Sequence, residues 1–367
     1  MIRYYIMNKE IKDFGYNDFF ESNRIKLKLD SFSIARVTSE NRGSYRVINE
    51  NGEFLAKITG KQIFNALSKE DYPAVGDWVA ITDLNNNQAI INAILPRKTI
   101  IKRKHGRDDK KTETQVIGTN IDVAFIVESI DRDFNLNRIE RYFAIAIDGG
   151  VKPVIIINKI DLIFEEDLNL KINQIKNRFN NIDVILTSTI TNQGVDLLKQ
   201  YISKGKTYCF LGSSGIGKSS LINKLLGEDI IKTGEISNFS NRGKHVTTRR
   251  EMYFLEEGGI VIDNPGMREV GMTYVNQGID DLFDEIARLG EKCKYSDCTH
   301  TNEPGCEVLK ALNQGKLDKE KYNNYINLKK ESEYYEMSEI EKKEKERDFG
   351  RFLKNAKKEI KRYKNNL

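Results

Sequence analysis

Residues 208–219, Tyr-Cys-Phe-Leu-Gly-Ser-Ser-Gly-Ile-Gly-Lys-Ser, decide how the middle of this chain folds. The apolar run Tyr208–Leu211 reads as a short buried strand, and Ser220-Leu-Ile-Asn-Lys-Leu-Leu226 has the spacing of a helix. Between them, Gly212-Ser213-Ser214-Gly215-Ile216-Gly217-Lys218-Ser219 fits the phosphate-loop pattern G-x-x-x-x-G-K-[ST] in its required strand-to-helix setting. Its glycines let successive backbone N–H groups curl around phosphate oxygens at the start of a helix. Lys218 would reach the β- and γ-phosphates, the Ser219 hydroxyl would ligate Mg²⁺, and Ser220 would close the loop onto the helix.

Working outward, apolar strands alternate with helical segments from residue 115 onward. Strands are expected at 121–127, 154–157, 183–186, 208–211 and 259–262, with a helix at 136–146. This alternation argues for a parallel α/β sheet. Two strand ends carry further chemistry. Asp263-Asn264-Pro265-Gly266 places a carboxylate suited to Mg²⁺ and a glycine whose N–H can face a γ-phosphate. Asn158-Lys159-Ile160-Asp161 resembles the N-K-x-D base reader of GTPases. The Asp161 carboxylate can accept from guanine N1–H and N2–H₂ together, a donor pair that adenine lacks. Asn158 would brace the loops and the Lys159 stem would cover the ring. Ser188, within Thr187-Ser188-Thr189, falls at the next strand end and near the base. The order is unusual, because Asn158 precedes Gly212 by 54 residues, whereas GTPases normally begin with the P-loop. One site forms from these segments only in a circularly permuted sheet. The chain after Asp263 would then be attached directly to a γ-phosphate sensor.

The first third has a different texture. Residues 1–30 are mixed and polar, an N-terminal extension without a clear period. Five short alternating segments follow between 31 and 97, separated by turn signals such as Asn51-Gly52, and Pro96 ends the run. An OB-like β-barrel that binds RNA is the expectation. Its single Trp78 reads as core rather than as a stacking platform. Residues 97–111 carry eight Lys/Arg against two Asp, and 98–114 reads as an exposed basic linker before a GTPase domain at 115–283.

Residues 284–367 read as a zinc-binding and basic helical domain. Cys293, Cys298, His300 and Cys306 have the spacing C-x₄-C-x-H-x₅-C, a closed tetrahedral Zn²⁺ set of the structural type. The Glu303-Pro304-Gly305 turn returns Cys306 to the cluster, whereas Cys209 reads as core. Three of the four cysteines within fourteen residues argue against a secreted disulfide scaffold and for a metal site in a reducing cytoplasm. Residues 349–367 carry seven Lys/Arg against one Glu and could track a phosphate backbone on a helix. The whole chain of 367 residues has a net charge of +5. Residues 97–111 and this tail contribute +6 each, which leaves the remainder at −7. Neither a signal-peptide core nor an apolar run long enough for a membrane span is visible, so no membrane partner is expected.

Together with Pro73-Ala-Val-Gly-Asp-Trp-Val79 and Glu303-Pro-Gly-Cys306, these segments resemble the circularly permuted, ribosome small-subunit-dependent GTPases of the RsgA/YjeQ family. The resemblance runs from about residue 30 to 310 in that family's domain order. It implies an OB barrel, a permuted P-loop GTPase and a zinc domain. The implied activity is GTP hydrolysis to GDP, stimulated by the small ribosomal subunit, in late maturation of that subunit and its rRNA, by a monomer. Residues 241–249, Asn-Arg-Gly-Lys-His-Val-Thr-Thr-Arg, match the family's switch I, with Lys244 and Val246 departing from it. Either Thr247 or Thr248 would ligate Mg²⁺, Thr248 being placed with Ser219 and Asp263. Met267 follows Gly266 where many GTPases carry a water-orienting Gln, so the resemblance makes His245 the catalytic candidate. The bland reading of His245 is a solvated switch residue or an rRNA contact. A GTP-gated RNA-binding module with incidental hydrolysis is the alternative function. A translation GTPase acting on tRNA or mRNA fits the permuted order less well.

Overall fold

The computed structural model describes residues 9–84, 86–105, 113–131, 134–179, 181–231, 250–263 and 275–337, with single residues beyond. A 3-10 turn, Ile11–Phe14, and helix α1, Asp18–Lys26, open the chain. The barrel strands are β1 Ser33–Asn41, β2 Ser44–Asn49, β3 Gly52–Ile58, β4 Trp78–Leu84 and β5 Gln88–Ile94, with helix α2, Gly60–Asn65, after β3. β1 pairs with β2 and β4, β2 with β3, β3 with β5 in parallel, and β5 with β4, so the five strands close on themselves. Alternation builds this barrel: Ala35, Val37, Val47, Phe54, Ala56, Val79 and Ile91 face one interior. Trp78 is fully buried in a second cluster. The segment 11–26 supplies much of that cluster, because Phe14, Tyr16 and Phe20 pack on or around Trp78, with Tyr16 edge-on at 4.8 Å. What reads in sequence as an aperiodic extension is thus, from Ile11 on, packed into the base of the barrel.

The basic stretch after Pro96 departs from the linker expectation over its described part. β6, Ile100–His105, pairs antiparallel with β7, Glu113–Thr119. Ile101 and Ile117 are buried in the main core and Val116 is buried as well, while Lys102 points outward to Glu70 at 2.6 Å. Counting charge conceals this alternation of apolar and basic side chains.

The central sheet comprises β8 Val123–Ser129, β9 Lys152–Asn158, β10 Val184–Leu186, β11 Thr207–Leu211, β12 Glu251–Phe254 and β13 Ile260–Asp263. Its spatial order is β10-β9-β8-β11-β13-β12, and only β12 runs antiparallel. All of β8 is buried, as a strand covered on both faces requires. Ala124 and Ile126 join the core under α3, Leu136–Asp148, and α4, Glu165–Arg178. Val123, Phe125 and Val127 join the opposite core under α5, Val195–Tyr201, and α6, Lys218–Leu226. The strand ending in Asn158 therefore stands two places from the P-loop strand β11 yet precedes it in the chain, a circularly permuted connectivity.

Helices α7 Asn276–Leu282, α8 Asp284–Gly290, α9 Glu307–Asn313 and α10 Lys319–Glu336 extend the α3 side. Arg141 of α3 meets Glu331 of α10 in a two-pronged ion pair at 2.7 Å. Ser39 of β1 also pairs with Glu251 of β12, joining barrel and central sheet. No helix among the described residues is long and apolar enough to cross a membrane.

Candidate functional site

The site assembles where β8, β9, β11 and β13 end, the crevice in which open α/β sheets hold ligands. After Leu211 the chain turns through Gly212–Gly217 and enters α6 at Lys218. Two glycines are obligatory here. A Cβ on Gly212 (φ +144°) would lie 2.4 Å from the Val127 carbonyl oxygen, and one on Gly217 (φ +97°) 2.3 Å from Asn158 Nδ2. Gly212, Ile216 and Lys218 are buried; Ser213, Gly217, Ser219 and Ser220 are half-buried, and Ser214 and Gly215 are exposed. Lys218 Nζ donates to the carbonyls of Gly212 (2.7 Å) and Ser213 (2.5 Å). Burial pushes its pKa down to about 8, against the opposing charges of Asp263 and Glu128. Asp263 ends β13 and is itself buried.

Residues 158–161 come to the same edge. Asn158 donates from Nδ2 to the Ile216 carbonyl (2.8 Å) and accepts from Thr187 Oγ1 (3.1 Å). One amide thereby joins P-loop, β9 and the segment after β10. Lys159 is left-handed (φ +63°) and its ammonium lies 3.3 Å from Asp131. Asp161 accepts from Ser188 Oγ at 2.5 Å, and Ser188 Oγ accepts from the N–H groups of Ile190 and Thr191. The Asp161 side chain is thus held from behind.

Asn158, Lys159, Asp161, Ser188, the P-loop and Asp263 are therefore at one edge of the sheet. His245, Thr247, Thr248 and Gly266 fall outside the described residues. Three residues here were not read from sequence. Asp131 partners Lys159, and Glu128 closes β8 beside the P-loop, clasped by Arg138. A visible signal existed for Glu128: a carboxylate ends an otherwise continuous apolar strand.

The second constellation is the metal set. One ligand atom each from Cys293, Cys298, His300 and Cys306 lies within 4.8 Å of the others. Cys293 Sγ is 3.8 Å from Cys306 Sγ, and His300 Nδ1 is 3.6 and 3.5 Å from those two sulfurs. Three features build it. His300 is left-handed (φ +61°), with its carbonyl accepting from Tyr322 OH at 2.6 Å. The Glu303 carboxylate accepts from the N–H groups of Thr299, Thr301 and Asn302, and its bonds to Thr299 hold its pKa down to about 2. Cys306 is the N-cap of α9, where the Leu309 N–H donates to its sulfur at 3.4 Å and fixes where that sulfur sits. This is a structural metal site, closed by four protein ligands.

Residues 94–273 match the RsgA GTPase family. The small ribosomal subunit biogenesis GTPase RsgA 2 of Listeria monocytogenes is 40% identical over 325 residues, covering 89% of this chain and 90% of the relative. RsgA 1 of Bacteroides thetaiotaomicron is 37% identical over 354 residues, covering 96% and 98%. The crystal structure of YjeQ from Thermotoga maritima superposes with a TM-score of 0.58 at 26% identity, covering 82% of this chain and 98% of that one. An OB-like barrel, a circularly permuted P-loop domain and a Cys₃His cluster, joined with relatives of this identity and coverage, make the chain a GTP hydrolase that belongs to the RsgA GTPase family.

Proposed function

We propose that this GTPase works in the late maturation of the small ribosomal subunit, engaging its rRNA and hydrolysing GTP when the subunit stimulates it. The observation that carries the reading is the Asn158–Ile216 bond, which couples a guanine reader to a phosphate cradle in the permuted connectivity of a family whose relatives are named small ribosomal subunit biogenesis GTPases. In this reading Asp161 accepts from guanine, with Ser188 bracing it and Lys159 covering the ring. Gly212 to Ser220 wrap the phosphates, and Gly266 faces the γ-phosphate. Ser219, Asp263 and Thr248, or Thr247 in its place, would hold Mg²⁺, which supplies charge neutralisation at the phosphates when bound. Asp263 suits that part, buried at the strand end and acting on Lys218 through its charge. His245 orients the attacking water, a role supported by Met267, whose thioether cannot.

Zinc is the metal the cluster fits. A tetrahedron of about 2.3 Å Zn–S and 2.0 Å Zn–N bonds has S–S edges of about 3.8 Å and S–N edges of about 3.5 Å. The separations of 3.8, 3.6 and 3.5 Å among Cys293, His300 and Cys306, with Cys298 within 4.8 Å of all three, support that metal. The barrel 31–97 and the basic segments 98–114 and 349–367 form the RNA-contacting parts, the two segments supported by their charge and the barrel by its OB-like architecture.

Single-turnover GTP hydrolysis with and without purified small subunits tests the function, alongside co-sedimentation with a GTP analogue or GDP. Strong stimulation and GTP-dependent binding are expected. Binding without stimulation would favour the GTP-gated RNA module, and absence of both would overturn the reading. His245→Ala should abolish stimulated turnover and spare GTP binding.

A further inference from the structure

Glu128 poses an electrostatic problem. It is the last but one residue of β8 and is fully buried. β8 runs parallel to β11 in the register Ile126 with Leu211, so two residues further on Glu128, still paired with Ile157 of β9, comes level with Ser213 of the P-loop. A buried carboxylate next to a triphosphate cradle repels the ligand it is meant to admit, and it is a ready partner for the ammonium of Lys218, which feels its charge.

Helix α3 answers this. Arg138 donates to both carboxylate oxygens of Glu128, from Nε at 2.9 Å and Nη2 at 2.8 Å, in a planar two-pronged pair. One turn along, the buried Tyr142 hydroxyl interacts with the Ser213 side chain, so α3 touches both the carboxylate and the loop beside it. Lys218 instead donates to the Gly212 and Ser213 carbonyls.

We propose that Arg138 is a positioning residue for the phosphate site: its guanidinium holds the Glu128 carboxylate, which would otherwise capture Lys218 and repel GTP. The pair is a lock whose loss is harmful only while Glu128 remains charged. This rests on the nucleotide site described above, not on any ribosomal partner.

The lock makes a sign-specific prediction for GTP affinity, read with a fluorescent GTP analogue on the full-length, metal-loaded protein. Arg138→Gln should weaken binding about tenfold or more at pH ~7.5, because it strands a buried anion. Glu128→Gln should lose no more than about threefold, and the double variant Glu128→Gln/Arg138→Gln should recover to within about threefold of wild type. Arg138→Lys should keep most of the affinity. A second readout is pH. Burial already raises the Glu128 pKa against the pull of Arg138, and removing Arg138 raises it further. Affinity of Arg138→Gln should therefore improve as pH falls toward ~6, while the double variant stays flat relative to wild type. The groups facing Glu128 are Arg138 and Tyr142 from α3, Lys218 from the P-loop and Asp131 from its own loop, with Asp263 acting through Lys218.

A double variant as weak as Arg138→Gln would make the arginine merely structural and overturn the proposal, as would an unchanged affinity in Arg138→Gln. If Arg138→Gln does not fold, the double variant carries the test alone, since it buries no charge: loss of GTP binding there overturns the lock. Lys218→Ala separates the two levels. If it binds GTP normally, the nucleotide site itself is wrong; if it fails to bind while Arg138→Gln binds normally, only the lock is.

Discussion

Asn158 donates across 2.8 Å to the backbone carbonyl of Ile216, and the same amide accepts from Thr187. The base-reading segment and the P-loop are therefore one hydrogen-bonded unit although 54 residues separate Asn158 from Gly212. Asn158→Ala removes both bonds at a fully buried position. Leaving the Ile216 carbonyl and the Thr187 hydroxyl without this partner should cost about 1–3 kcal/mol of stability and at least about tenfold in GTP affinity. Urea unfolding and nucleotide titration measure the two separately. A stability loss with unchanged GTP affinity would show that the bridge does not organise the loop.

Asp161 is held by Ser188 at 2.5 Å, which leaves a fixed acceptor for a base. Replacing the carboxylate by an amide exchanges one acceptor oxygen for a donor. Asp161→Asn should therefore lose guanine nucleotides by at least about tenfold and gain xanthine nucleotides, whose second oxo group accepts where guanine donates. Competition between GTP and XTP checks it. Retained GTP preference would mean that Asp161 does not meet the base.

The readable parts of this fold were those in which one periodicity dominates locally. Strand β8 is apolar from Val123 to Val127 because both faces are covered, and the P-loop is defined by spacing between a strand and a helix. The base of the barrel was not readable. Tyr16 and Phe20 find Trp78 about sixty residues away, and no local pattern encodes that contact. The β6–β7 pair was obscured for another reason: the lysines and arginines of this stretch dominate a composition count while Ile101 and Ile117 quietly fill the core. Within the site, motif residues were legible as types, but the Glu128–Arg138 clasp depends on which strand neighbours the P-loop, and only the permuted topology supplies that.

Lys218 gives a pH dependence. With its pKa near 8, far below the ordinary lysine range of about 10.4, the folded nucleotide-free protein binds fewer protons than the unfolded chain between those values. Keeping Lys218 protonated in the folded protein therefore costs stability in full below about pH 8, and the cost fades as pH rises from about 8 toward about 10.4. A triphosphate reverses the preference by stabilising the ammonium. GTP affinity should be level near neutrality and fall above about pH 8, by up to about tenfold per pH unit, with uptake of a proton on binding. Calorimetry in buffers of different ionisation enthalpy reads that proton. A flat affinity between about pH 7 and 9 would contradict it.

The metal set tethers α8, α9 and the loop between them, and Tyr322 ties that loop to α10 through the His300 carbonyl. Chelation, or Cys306→Ser, should loosen hydrogen-exchange protection from 284 to 336 while leaving the β8–β11 region protected. Nucleotide affinity should change little, since the P-loop contacts described above involve none of the four ligands. One equivalent of zinc per chain is expected by elemental analysis. Uniform loss of protection across the whole chain would mean that the cluster supports the GTPase core as well.

Arg36 joins barrel to GTPase from inside the protein. Its guanidinium, fully buried, donates to the carbonyls of Phe14, Gly76 and Asn120 and to Thr207 Oγ1, the first residue of the P-loop strand. Burial lowers its pKa to about 10, with Asp122 and Asp77 opposing, and the residue remains charged at neutral pH. Three carbonyls and a hydroxyl from four segments thus depend on one cation. Arg36→Met keeps the volume of the stem but strands those acceptors, at about 1–3 kcal/mol for each one left without a partner. Arg36→Lys, a point charge without the planar fork, should recover only part of that. The loss should appear as one cooperative destabilisation of barrel and GTPase together, followed by denaturant unfolding with tryptophan fluorescence reporting the barrel at Trp78 and nucleotide release reporting the P-loop. If the barrel signal moves alone while nucleotide release keeps its wild-type midpoint, Arg36 supports the barrel without coupling it to the strand that carries the P-loop.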